Sequence, residues 1–194
     1  MKKLTRILAV SAFIGSTIAA TGTMALDSNV DATVDFLPAI TLTVNQVVDF
    51  GTVEFTGVPT GAITLATDDT VGYGAGLTGD TVGIAGEIEI SAGTGATVDV
   101  SCDDTGAQVG FGANTLTLQA AEIVMGTGNG VAALAGTDCT GLGAGPIAHV
   151  MAGVAADDTI LMGAEIDANT GTVATGTYTS TISGNFMQVR ALYQ

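Results

Sequence analysis

Val30-Asp31-Ala32-Thr33-Val34-Asp35-Phe36 alternates strictly, with Val30, Ala32, Val34 and Phe36 on one side of an extended chain and Asp31, Thr33 and Asp35 on the other. A period of two marks a strand with one buried face. After Pro38 the phase continues through Ile40, Leu42 and Val44, and a further strand-like stretch, Val48-Asp-Phe-Gly-Thr-Val-Glu-Phe55, follows. Further strand-like stretches cover 62–67, 81–91, 96–102, 115–124, 147–153, 159–168 and 176–193, separated by Gly, Asp and Asn. The Gly/Ala-rich stretches 71–79, 126–136 and 141–145 read as loops, with 131–134 able to add a helical turn. Many short strands between turn signals predict an all-β, immunoglobulin-like antiparallel sandwich with Gly-rich loops rather than a βαβ sheet.

Composition agrees with this reading. Glycine contributes 28 of 194 residues and Thr, Val and Ile are abundant, while only 12% of the chain is charged. Four basic residues face nineteen acidic ones, for a net charge of −15. Three of the four, Lys2, Lys3 and Arg6, precede every Asp and Glu, and Arg190 is the fourth. The body of the chain therefore repels phosphate backbones and anionic lipid, which argues against a nucleic-acid partner.

Residues 1–25 have the pattern of a secretory signal: a basic start, an apolar run from Ile7 to Ala20, and a small-residue exit at Thr23-Met24-Ala25. The competing reading is a retained anchor, but the run is broken by Ser11, Gly15, Ser16 and Thr17 and is short for a span of about 20 residues. Cleavage would leave 26–194 as one domain with no membrane span, passing through the periplasm to the cell surface or beyond. In that oxidising setting Cys102 and Cys139 have one possible pairing, and a disulfide is expected. A cysteine metal site lacks partners, because there is no CxxC and His149 is the only histidine.

Asp-Asp-Thr recurs at 68–70, 103–105 and 157–159, and Gly-Asp-Thr at 79–81. Asp side chains capping a turn before a strand account for the pattern. Paired loop carboxylates could also supply the oxygen ligands of a calcium ion, although neither EF-hand spacing nor a glycine-aspartate nonapeptide is present. No metal ligand and no cofactor is assigned.

Catalytic patterns are few and incomplete. Gly-Ala-Gly-Leu-Thr-Gly at 74–79 matches GxGxxG, but a strand-like stretch follows where dinucleotide binding needs a helix. There is no GxSxG elbow, and His149 lies between Ala148 and Val150 in an apolar strand pattern that suits an edge or satisfied core residue. Sugar clefts favour aromatic platforms, and the chain has no Trp and three Tyr. No enzymatic activity is expected.

Val48-Asp49-Phe50-Gly51-Thr52 resembles the hydrophobic-Asp/Asn-Phe-Gly-Thr signature of a secreted bacterial domain family of unknown function. That family is related to the Mat (Ecp) fimbrial major subunit and to spore-coat-U-like pilins. Gly176-Thr177-Tyr178 and the penultimate Tyr193 resemble the family's C-terminal strand, although Thr181 stands where chaperone-usher pilins are expected to carry glycine. The resemblance implies an incomplete sandwich completed by a neighbour's N-terminal strand and polymerised into fibres, with a periplasmic chaperone and outer-membrane usher as partners. In that reading 26–37 is the donor segment, Val30, Ala32, Val34 and Phe36 fill an apolar groove, and 178–193 borders it. The alternative is a monomeric secreted acidic module binding calcium or glycan, with 30–36 in its own sheet. Alternation fits both.

Overall fold

The computed structural model describes residues 37–57, 59, 61–132, 134–168 and 173–194. The signal segment and the alternating residues Val30, Ala32, Val34 and Phe36 lie outside the described residues. The strands are β1 (Thr41–Gln46), β2 (Val53–Phe55), β3 (Ala62–Leu65), β4 (Val71–Tyr73), β5 (Leu77–Gly79), β6 (Gly86–Ser91) and β7 (Thr97–Asp103). They continue with β8 (Gln108–Phe111), β9 (Asn114–Met125), β10 (Thr137–Asp138), β11 (Ile147–Val150), β12 (Thr159–Asp167) and β13 (Gln188–Tyr193). A four-residue helix, α1 (Ser180–Ser183), precedes β13 and is the one α-helix among the described residues.

All strand pairs are antiparallel, and β12 organises the larger sheet. One edge of β12 pairs with β9, while the other pairs with β6 over its first half and β3 over its second. The changeover falls at Gly163, where a Cβ would lie 2.5 Å from the Leu65 carbonyl oxygen. Only a residue without a side chain lets β3 come this close. β1 extends the sheet beyond β6, β4 extends it beyond β3, and β8 and β10 both pair with β9.

A second sheet, in the order β11-β7-β13, supplies the opposing layer, and β2 and β5 form a separate ribbon. Val98 and Val100 of β7 share one buried core with Leu118 and Ile123 of β9, Leu65 of β3 and Ile160 of β12. The protein is thus an all-β antiparallel sandwich of the immunoglobulin-like kind. The expected disulfide is present: Cys102 of β7 is bonded to Cys139, which follows β10, with their Cα atoms 4.6 Å apart. The bond ties the second sheet to the first.

Several boundaries differ from the sequence reading. The stretch 48–55 is interrupted by a turn, and only Val53–Phe55 is a strand. Residues 71–79, read as a loop, hold two short strands, β4 paired with β3 and β5 paired with β2. β8 falls in a stretch not read as a strand. The stretch 176–193 is broken by α1, which the Thr179 side chain caps and Gly184 closes in a left-handed conformation. The stretch from Tyr178 to Tyr193 is therefore not one strand, and within it only Gln188–Tyr193 is extended and paired.

Candidate functional site

The family-like motif at 48–51 builds a corner. Asp49 exchanges backbone hydrogen bonds with Ile84 at 2.9 and 2.8 Å, and its Oδ1 accepts from the Gly51 amide at 2.9 Å. Gly51 takes φ +71°, the left-handed region that this turn requires. Phe50 is buried and Val48 packs against the core. At the other end of the chain, Gly176 lies against the Phe111 ring. The Tyr178 ring packs on Phe111 at 5.7 Å between centroids, and its hydroxyl accepts from the Ala174 amide. Tyr193 bridges Pro38 and Gly93. These residues act as fasteners, and they do not converge on one surface.

The Asp-Asp-Thr copies share a division of labour. Asp68 and Asp103 accept from the amides of Thr70 and Thr105, two residues on, at 3.1 and 2.9 Å. The second carboxylates reach other segments: Asp69 accepts from the Ala85 amide at 2.7 Å and Asp104 from the Ala121 amide at 2.9 Å. In the third copy Asp158 accepts from the Ala152 and Gly153 amides and from His149 Nε2, at 2.7 to 2.8 Å. Burial works against the ionised form of Asp158, but these three bonds outweigh it and hold the carboxyl below its ordinary range. His149 is thereby a satisfied, half-buried residue on the edge strand β11. Among the described residues no three His, Cys, Asp or Glu side chains converge where they could hold a metal ion. The GxGxxG string at 74–79 is spent on the turn between β4 and β5 and on β5 itself, with no helix after it.

Two surface features remain. The first is an open cleft of about 330 Å³ lined by Gln46, Thr67, Asp68, Asp69, Glu87 and Gly130 among others. The second is the outer edge of β1. Residues directly opposite in an antiparallel pair share a face, so Val44, Ile88, Ile160 and Met125 form one row across β1, β6, β12 and β9. Ile160 is fully buried, whereas Val44 at the end of the row is 61% exposed, and Leu42, opposite the buried Ile90, is 36% exposed. Among the described residues β1 pairs with β6 alone. Among the described residues, the core-facing side of the sheet thus runs out to an edge without a partner strand. The alternation of Leu42 and Val44 was legible in the sequence, but their exposure was not.

No protein-family model, no curated protein and no solved structure matches the chain.

Proposed function

We propose that this chain is an exported structural subunit of a fimbria-like surface polymer, assembled when residues 30–36 of one copy lie along β1 of another. The observation that carries the reading is the apolar row ending at Val44 on an edge with no described partner. An added strand gives the outward N–H and C=O groups of β1 their partners and covers Leu42 and Val44 with its apolar side. The spacing of Val30, Ala32, Val34 and Phe36 suits that task, with Asp31 and Asp35 turned to water. The signal-like residues 1–25 support export, and the disulfide suits an oxidising compartment. A periplasmic chaperone and an outer-membrane usher are the partners such a route calls for, because a bare apolar edge invites aggregation.

Protein recovered from the cell surface, run on SDS gels with and without boiling and viewed in negative stain, tests the reading. A ladder that collapses to one band on boiling, together with thin fibres, is expected. Deleting residues 26–37 should abolish the ladder and leave a folded body. A single monomer band in both lanes with no fibres overturns the proposal in favour of a self-contained binding module.

A further inference from the structure

Glu122 differs from every other carboxylate described. It is fully buried in β9, opposite Gly163 of β12 and Asp138 of β10, and its Oε1 has no hydrogen-bond partner. Its Oε2 accepts from the Gly136 amide, and the Thr67 amide faces the same carboxyl. Thr67 in turn holds Val131, whose amide donates to Thr67 Oγ1 at 2.9 Å. The chain is therefore held at two anchors, Gly136 directly on the carboxyl and Val131 through Thr67.

No cation compensates this carboxyl among the groups that face it. Asp138 on β10 and Asp68 in the turn after β3 are both acidic. β12 presents Gly163. The segment 126–136 carries no charged side chain. Burial pushes the carboxyl upward; the Gly136 and Thr67 amides pull it down, Asp138 and Asp68 add to the upward push, and the net direction is up.

We propose that Glu122 is a proton-operated latch. With its proton in place the carboxyl is neutral, and the anchors at Gly136 and, through Thr67, at Val131 hold. Once the proton is lost, the charge draws water inward and the two anchors release. The effect reaches the cleft, because Thr67 and Gly130, the neighbour of Val131, form part of its lining. Ionisation therefore loosens one side of the cleft.

The sign follows from linkage. The open form holds an ordinary carboxyl and the closed form a raised one. Opening is thus flat below the ordinary pKa of about 4.3, rises up to about tenfold per pH unit above it, and levels off beyond the raised value.

Amide hydrogen exchange on the disulfide-bonded full chain, corrected for intrinsic exchange rates, reads the anchors directly. Protection at Val131 and Gly136 is expected to fall about tenfold or more between about pH 5 and about pH 8, while Val98 and Val100 in β7 stay unchanged. Glu122→Gln should keep the anchors protected across the same range. Should that variant fail to fold, Asp138→Asn, at an exposed position, should give a shallower fall than the parent. Flat protection in the parent, or an undiminished fall in the variants, overturns the latch. Protection restored at high pH by calcium also overturns it and assigns Glu122 to a cation site instead.

Discussion

The Tyr193 hydroxyl donates a 2.7 Å hydrogen bond to the Pro38 carbonyl, joining residues 155 positions apart. The same oxygen accepts from the Gly93 amide at 3.0 Å. The end of β13 in one sheet thus pins the segment that enters β1 in the other.

Tyr193→Phe removes both bonds and leaves the ring. At about 1 kcal/mol net per hydrogen bond, urea unfolding should show a loss of about 1–2 kcal/mol. The Gly93 amide should exchange faster, and unchanged exchange there would show that the hydroxyl contributes nothing.

Reduction of Cys102–Cys139 frees a loop whose ends are 37 positions apart. The chain-entropy estimate for such a loop is about 4 kcal/mol. Urea midpoints with and without reductant should differ accordingly. A shift below about 1 kcal/mol would show that the unfolded chain is already restricted near the two cysteines.

Asp158→Asn replaces a buried charge that accepts three bonds, and should cost about 3 kcal/mol at neutral pH. Because the folded carboxyl titrates below its ordinary range, its contribution is fully present above about pH 5 and is lost as pH falls through the folded value. Parent and variant stabilities should therefore converge in acid. Parallel curves from neutral pH down would assign the cost to shape rather than charge.

Gly163→Ala drives a methyl group to 2.5 Å from the Leu65 carbonyl oxygen. Overpacking of this kind should cost about 2–3 kcal/mol and lower Tm in calorimetry. A variant as stable as the parent would mean that β3 shifts away from β12 at little cost.

Val44→Ser together with Leu42→Ser leaves the sandwich intact, because both side chains are exposed. Monomer stability should change by no more than about 0.5 kcal/mol. Fibres and the SDS ladder should disappear. Fibres of normal yield would move the assembly site away from β1.

Strands such as β7, β9 and β12 were legible because Val98, Val100, Leu118 and Ile166 keep a period of two, and the cysteine pairing was legible because only one pairing exists. The break at 49–52 showed only as a slip of phase from Val48 and Phe50 to Val53 and Phe55, and its cause, the Gly51 amide bonding the Asp49 side chain, is a turn inside an otherwise strand-like run. β9 also hides a bulge: Ala120 has φ +47° and the register against β12 shifts beside it. Buried positions therefore pass from Leu116 and Leu118 to Ala121 and Ile123. Glu122 is left on the opposite face, where the Gly136 and Thr67 amides cover its carboxyl. Neither that cover nor the pairing of His149 with Asp158 has a local signal, because each joins segments that only the folded chain brings together.

Arg190 is the only Lys or Arg beyond Arg6, and it sits on β13 opposite Ser101, so close to Gly143 that its guanidinium would meet a Cβ placed there. Its Nε is buried and unpartnered. A protease that cuts after basic residues thus finds its one site in the sandwich held inside a paired strand. The rate at which it releases residues 191–194 is then a clock for the opening of β13, and a well-kept sandwich would scarcely tick.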